Sequence, residues 1–521
     1  MKYLSARAIG FHLGIAFFLI LLLLPTFDAF HAAAGQAVGQ SQVDPTTLAR
    51  SMQIVLALLV LMVIWWVTEA IPLPATALLP AVILPLFHVI GMQGHELHEF
   101  TAKNSLVHYA NPVIYLFLGG FLLAAAMQKW RLDRRLTLWL LTRGNLAGSP
   151  KSILLAIMSV TAFLSMWISN TATTAMMLPL GLGVLTFMGL KPGESRYGTA
   201  LMLGIAWAAS IGGVGTIIGT PPNGIALGIL NSTFSADPTY HRITFLDWMS
   251  FGIPYVILYV PVAWFILLKT CRPEVAAVGD AREQFRQELA TLGPFSGGEK
   301  LTLAVALLAV ALWVSNPFWN TIFPSSLATQ LSWVDEYVIG LMVGLVLFMI
   351  PVDLKEHKFL LDWKDSRFVD WGTLILFGGG IALSDAMFKT GLAAWIATSF
   401  VGLLGTPSTL TMMFCVVMFM GLLTEVTSNT AVTAMMVPVV ISIAVRTGEN
   451  AIALSVAAAV AASMAFMLPV ATPPNALVFG TGYVKVKDMV RSGIMLEVIG
   501  WFMTVGIMVV FANWLFGVLR W

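Results

Sequence analysis

Hydrophobic positions run along this chain in blocks long enough to cross a bilayer, with short polar stretches between them. The blocks fall at 9–30, 52–70, 73–91, 112–128, 199–230, 248–268, 299–316, 335–352, 371–400, 450–481 and 493–517. About 20 consecutive apolar residues span a hydrocarbon core as a helix. The pattern therefore predicts an all-α polytopic membrane protein with about 11 transmembrane helices. Two further apolar segments, 152–189 and 408–445, carry polar triplets near their middles. Irregular backbone at membrane depth is tolerated where it lines a cavity, so these two are predicted to be re-entrant hairpins.

Basic residues orient the chain. With the N-terminus inside, the cytoplasmic segments hold 22 of the 28 Lys and Arg residues, from Lys2 and Arg7 to Lys485, Lys487 and Arg491. Arg50, Lys103, Arg242, Lys389, Arg446 and Arg520 fall on the other side. This asymmetry marks cytoplasmic loops and predicts a multi-pass protein of the cell inner membrane, N-terminus cytoplasmic and C-terminus outside. Segment 152–189 then enters and leaves on the cytoplasmic face, and 408–445 on the outer face. The apolar run to Leu24, followed by Ala32, Ala33 and Ala34, also resembles a secretory leader. A retained first helix uses the same flanking charges and suits an integral membrane protein better.

Composition narrows the field. Residues are 58% hydrophobic and 10% charged, against about 25% charged in soluble domains. Cys271 and Cys415 are too few for a disulfide framework or a cysteine metal site, and no nucleic-acid motif is present. A membrane-embedded enzyme places acidic pairs, His clusters or nucleophile–base pairs at depth. His88, His95, His98 and His108 come nearest, but they fall mostly in one outer loop, where solvated histidine is the expected state. Glu96 and Glu99 complete no ligand motif with them. Neither an enzyme nor a passive channel accounts for the pattern that follows.

Residues 169–179 read SNTATTAMMLP and 428–438 read SNTAVTAMMVP, identical at nine of eleven positions with an offset of 259. Leu118-Gly119-Gly120 is echoed at the same offset by Phe377-Gly378-Gly379, and Thr220-Pro221-Pro222-Asn223 by Thr472-Pro473-Pro474-Asn475 further on. The charge pattern brings the first block in from the cytoplasm and the second from outside, so the halves are predicted to be inverted copies. Inverted repeats with interrupted segments in corresponding places point to a transporter's binding site. The expected organisation is N-terminal scaffold helices at 1–111 and a first repeat at 112–270, with hairpin 152–189 and a broken helix at 219–223. A cytoplasmic linker follows at 271–298, then scaffold helices at 299–370. The second repeat occupies 371–521, with hairpin 408–445 and a broken helix at 471–475.

An isolated Ser or Thr in a membrane helix serves close helix packing. A duplicated triplet containing Asn asks for more, because its amide must be satisfied away from water. Successive prolines disrupt a helix, and the Thr-Pro-Pro-Asn breaks are expected to expose carbonyls that suit sodium and helix N-termini that suit anions. No Lys or Arg falls in the hairpin cores or the breaks. A dianion bound there would draw its charge compensation from co-bound cations and helix N-termini, which is the physical requirement for coupled symport. Glu425, the only acid inside either hairpin, is expected to act as a cap rather than as a cation neighbour.

The blocks resemble the divalent anion–sodium symporter family, which includes bacterial dicarboxylate transporters and animal sodium–carboxylate and sodium–sulfate cotransporters. The resemblance spans roughly residues 50–521. It implies a homodimer in the membrane lipid, with hairpin tips opposed across an elevator-like transport domain. It also implies a first sodium site at Ser165, Ser169, Asn170 and the Gly219 backbone, and a second at Thr424, Ser428, Asn429 and the Ala471 backbone. Substrate carboxylates would meet Asn170, Thr171, Asn429, Thr430, Thr472 and Pro473. The function so implied is sodium-coupled uptake of C4-dicarboxylates such as succinate, malate and fumarate. Citrate, sulfate, another divalent oxyanion, or sodium-independent exchange are the alternatives.

Overall fold

Proline and short polar caps decide where many of the helices begin. The helix Pro112–Lys129 starts behind Asn111, whose side chain accepts the Val113 N–H, and its first residue is proline. At that position the missing N–H loses no hydrogen bond. The structure, a computed structural model, describes residues 6–39, 43–143, 149–240, 242–274, 281–404 and 408–516. Lys2, Arg520 and part of the expected linker lie outside the described residues.

The first half opens with α1 (Ala6–Leu23), α2 (Asp28–Val38), α3 (Pro45–Thr68), α4 (Leu73–Ala77) and α5 (Leu79–Leu86). A two-stranded antiparallel ribbon follows, β1 (Ile90–Gln93) with β2 (Glu96–Glu99), then the short α6 (Ala102–Leu106). Beyond it run α7 (Pro112–Lys129), α8 (Leu132–Arg143), the helix pair α9 (Pro150–Ser165) and α10 (Asn170–Phe187), α11 (Arg196–Gly213), α12 (Pro221–Thr233) and α13 (Phe245–Thr270). A surface helix, α14 (Ala281–Thr291), packs on α8. There Arg135 pairs with Glu299 and donates to the carbonyls of Leu292, Gly293 and Pro294.

The second half repeats the order. After α15 (Gly297–Ser315), α16 (Trp319–Ile322), α17 (Ser325–Leu331) and α18 (Glu336–Met349) comes a second ribbon, β3 (Pro351–Asp353) with β4 (Lys358–Phe359). Then follow α19 (Trp371–Thr390), α20 (Leu392–Leu404), the pair α21 (Thr409–Thr424) and α22 (Asn429–Thr447), α23 (Ala451–Ala461), α24 (Pro473–Phe479) and α25 (Val486–Phe516). The elements α7 to α12 thus match α19 to α24 one for one. Pro179 in α10 and Pro438 in α22 recur at the offset of the triplets. The echoed glycines admit close neighbours: a Cβ on Gly119 would strike the Gly340 backbone of α18, and one on Gly379 the Ala77 backbone of α4.

Several expected elements are divided. The run 9–30 ends as a helix at Leu23, just before Pro25, and resumes at Asp28. The run 371–400 is two helices, because Gly391 adopts a left-handed conformation (φ 84°) that closes α19. Segment 73–91 holds the short α4 and α5 ahead of His88, which also has positive φ. Among the described residues eight helices are long and apolar enough to cross a membrane, nine if the bent pair α17–α18 is one span. The interrupted spans 199–230 and 450–481 do not pass as single helices.

Candidate binding site at the hairpin tips and helix breaks

Each hairpin turns at its repeated triplet. Ser165 is the last residue of α9 and Asn170 the first of α10, with the turn 166–169 between them. The buried Ser165 hydroxyl donates to the Asn170 side-chain oxygen at 2.7 Å. Ser169 caps α10 by accepting the Ala172 N–H at 3.3 Å. In the second copy Thr424 closes α21, Asn429 opens α22, and the Thr424 hydroxyl lies 2.6 Å from the Asn429 oxygen. It also lies 2.8 Å from the Ala462 carbonyl. Ser428 stands at the cap of α22 without a capping hydrogen bond.

The breaks differ from expectation in one respect. The prolines do not end the preceding helices; they start the following ones. Pro221 and Pro222 are the first two residues of α12, and Pro473 and Pro474 the first two of α24. Proline is tolerated there because those N–H groups have no helical acceptor. The unwinding begins earlier, over 214–220 and 462–472. In both copies the final Asn of the motif holds it open. Asn223 donates to the carbonyls of Gly213 at 3.0 Å and Thr216 at 2.8 Å. Asn475 donates to those of Ala465 at 2.9 Å and Leu468 at 3.1 Å. These partners stand ten and seven residues before the Asn in each repeat, so the clamp itself is duplicated.

The same geometry relocates the anion-favouring helix ends. Two prolines deprive α12 and α24 of their first two N–H groups, and Thr472 accepts the Asn475 N–H at 3.3 Å. The N-termini of the long helices α10 and α22 keep theirs, at Asn170 and Thr171 and at Asn429 and Thr430. A helix N-terminus carries roughly half a positive charge, and here it stands at the triplets. Asn170, Asn429 and Thr430 are half-buried and Thr171 is exposed; Thr472 is buried and Pro473 exposed. Gly219 and Ala471 are buried in the breaks.

Packing crosses the repeats. The hairpin helix α10 packs on α24 of the other half, and α22 packs on α12. Within each half, α10 packs on α11 and α22 on α23. The residues expected at the two sodium sites thus fall into two matched groups, one per repeat. Gly213 also stands against Asn170, leaving no room for a Cβ.

Sequence reasoning missed two contributors and misplaced the role of a third. The Ala462 carbonyl is invisible to motif reading, because any residue supplies a carbonyl. Glu425 caps no helix, contrary to expectation: it accepts the N–H groups of Phe466 at 2.6 Å, Met467 at 2.7 Å and Leu468 at 3.0 Å in the non-helical stretch of the second break. Its position corresponds to Met166 in the first repeat, whose carbonyl instead accepts from Thr216. Glu497, an acid inside the apolar run 493–517, carried a signal that was available, since ionisable residues at membrane depth are rare and functional. Two of the four histidines are also not simply solvated: His108 lies 3.2 Å from Asp385, and His98 lies 3.4 Å from Lys389.

Comparison with known proteins settles the family. Residues 43–518 match the family described as the sodium:sulfate symporter transmembrane region. The chain belongs to that family. It is the divalent anion–sodium symporter family that the triplets resemble, a family of transporters rather than enzymes. The chain is 38% identical over 463 residues to a protein named sodium-dependent dicarboxylate transporter SdcS from Staphylococcus saprophyticus, covering 86% of this chain and 84% of that one. It is 35% identical over 509 residues to the SdcS of Staphylococcus aureus, covering 95% and 89%. Among solved structures, the Alcanivorax borkumensis YdaH transporter aligns with TM-score 0.55 at 13% identity, over 88% of this chain and 98% of its own. Neisseria gonorrhoeae MtrF aligns with TM-score 0.56 at 12% identity, over 94% and 98%. At these identities the likeness is one of fold.

Proposed function

We propose that this protein is a sodium-coupled symporter that carries dicarboxylates, C4-dicarboxylates such as succinate, malate and fumarate first among them, by elevator-type alternating access. The observation that carries the reading is the oxygen cluster at Thr424. The Thr424 hydroxyl oxygen lies 2.6 Å from the Asn429 amide oxygen and 2.8 Å from the Ala462 carbonyl oxygen, with one hydroxyl proton for the two contacts. Such a group suits a hard cation, which oxygen ligands bind. Ser165 and Asn170 form the counterpart. The relatives' printed names, which specify sodium dependence and dicarboxylates, support the same assignment.

In this reading Ser165, Ser169, Asn170 and the Gly219 backbone hold the first sodium, and Thr424, Ser428, Asn429 and the Ala471 backbone the second. The bound cations and the N-termini of α10 and α22 then offset the charge of a dianion held by Asn170, Thr171, Asn429, Thr430, Thr472 and Pro473. The two hairpins and the elements from α11 to α13 and α23 to α25 form the moving half, and the remaining helices form the scaffold and its homodimer contact. The protein lies in the inner membrane with its N-terminus in the cytoplasm and its C-terminus outside.

Labelled succinate uptake into proteoliposomes tests this. An inward sodium gradient should drive accumulation where potassium does not, and Asn170→Ala or Asn429→Ala should lower uptake at least about tenfold, a loss of about 1.4 kcal/mol, in folded protein. Uptake that needs internal succinate but not sodium would make the protein an exchanger. The family description favours one second reading, sulfate, and unlabelled sulfate outcompeting succinate would establish it.

A further inference from the structure

The helices α8 and α14 form a two-helix deck beyond the end of α7. Arg131, in a left-handed conformation (φ 56°), separates α7 from α8, and α14 packs on α8. Apolar residues at 285, 289 and 292 recur at helical spacing along α14 and just past its end. Phe285 is buried and Leu289 and Leu292 are half-buried, so this stripe faces the protein and holds α14 down. The deck also touches the first hairpin, since the Gln284 side chain lies against Gly183 of α10. Arg282 fastens α14 to the end of α8 by donating to the Thr142 carbonyl at 2.8 Å.

Two aromatic rings on this deck are left exposed, Trp139 of α8 and Phe295 beyond α14. Each carries a guanidinium on its face: Arg143 lies 5.2 Å from the centre of the Trp139 ring, and Arg135 lies 4.6 Å from that of Phe295. A cavity of about 340 Å³ opens beside them, walled by Arg135, Trp139, Arg286, Leu289, Ala290 and Phe295. Arg135 is already committed to Glu299 and to three carbonyls. Arg286 is exposed and meets Glu283 at 3.8 Å, the outer limit of an ion pair. Residues 131–143 and 281–300 together carry seven basic side chains and four acidic ones, so the deck is positive.

An apolar floor, aromatic walls and guanidiniums at the mouth match an amphiphile with an anionic head. A free inorganic anion would make no use of Leu289, Ala290 and the two rings. Exposed tryptophan sits at headgroup level in a bilayer, and basic pockets on the cytoplasmic side recruit anionic lipids. On the orientation proposed above, the deck lies at that side. We propose that the α8–α14 cavity is a binding site for an anionic phospholipid of the inner leaflet. Arg286 and Arg143 take the headgroup phosphate, and the glycerol and upper acyl chain lie against Trp139, Leu289 and Phe295. The lipid thereby anchors the deck on which the first hairpin rests through Gln284 and Gly183. The proposal rests on the transport reading for its orientation alone, so failure to bind lipid would leave symport untouched.

Native mass spectrometry of the purified full chain, titrated with phosphatidylglycerol or phosphatidylcholine in detergent, tests this. The wild type should retain phosphatidylglycerol at least about tenfold better, from two guanidiniums each contributing on the order of 1 kcal/mol. The double variant Arg143→Gln, Arg286→Gln should bring the two lipids level, and Arg143→Lys, Arg286→Lys should keep the preference. Removing two exposed charges elsewhere, in Lys485→Gln, Lys487→Gln, should leave the preference intact. Equal loss in that variant would overturn the proposal and make the attraction one of diffuse surface charge. Lysophosphatidylglycerol should displace the bound lipid and glycerol 3-phosphate should not; equal displacement by both would overturn it in favour of a soluble phosphate. Wild-type protein that holds both lipids alike would overturn it too, and that comparison needs no variant to fold.

Discussion

At Thr424 a single hydroxyl proton faces two acceptors, the Asn429 amide oxygen and the Ala462 carbonyl. A hydroxyl has one proton to give, so one of the three oxygens is left with a lone pair aimed at its neighbours. A bound cation relieves that crowding. Thr424→Val keeps the shape and removes the oxygen, while Thr424→Ser keeps the oxygen. The expected outcome is that Thr424→Val raises the sodium concentration for half-maximal uptake by about tenfold, about 1.4 kcal/mol, with succinate KM little changed at saturating sodium. Thr424→Ser should stay near wild type. A valine variant with wild-type sodium dependence would remove Thr424 from the site. Duplication singled out the triplets Ser169-Asn170-Thr171 and Ser428-Asn429-Thr430, through a nine-in-eleven match across 259 residues, whereas Ser165 and Thr424 lie outside that match and were expected only from the family resemblance. The carbonyl partner was not legible, since its identity lies in the backbone path and not in the Ala462 side chain.

Elements were legible where periodic apolar character ran unbroken and illegible where a single backbone conformation decided the outcome. Gly391 splits 371–400 through a left-handed φ, and Gly212, Gly213 and Gly215 precede the prolines where α11 gives way to the break. The β1–β2 ribbon shows how long-range contacts escape a local reading. His98 on β2 looks like a loop residue in sequence, yet it packs beside Lys389 from the end of α19. Burial first, and then the Lys389 charge, hold the His98 imidazole below its ordinary value of 6.5. The folded state therefore prefers neutral His98. Its contribution to stability is present above about pH 6.5 and is lost as the pH falls further, because the unfolded chain then binds the proton more readily. Amide protection at 90–99, corrected for the intrinsic slowing of exchange with falling pH, should drop as the pH falls below about 6.5, and His98→Gln should flatten that drop. Equal acid sensitivity in the variant would shift the cause to other groups.

At the scale of the whole molecule, an elevator requires that contacts between the moving half and the scaffold be of a kind that can be exchanged. On the boundary proposed here, the contact between the α12–α13 loop and the start of α18 is polar, while α12 meets α7 and α19 through Phe117, Phe377 and Ile381. Arg242, between α12 and α13, pairs with Asp335 at 3.1 Å and Glu336 at 2.9 Å at the start of α18, and its guanidinium lies over the Tyr337 ring. Asn231 at the end of α12 donates to the Tyr337 hydroxyl at 2.7 Å. Ion pairs at a partly solvated surface contribute little net stability, about 0–1 kcal/mol each, so water can replace them without a large barrier. If α12 and α13 travel against α18 in each cycle, tying Asn231 to Tyr337 should stop transport. With Cys415 replaced by Ser, since it is exposed, the double variant Asn231→Cys, Tyr337→Cys joined by a short bis-thiol reagent should lose at least about tenfold in succinate uptake. A cleavable linker should restore uptake on reduction, and neither single variant should respond. Undiminished uptake in the cross-linked protein would mean that these elements move together, and the boundary between carrier and scaffold would then lie elsewhere.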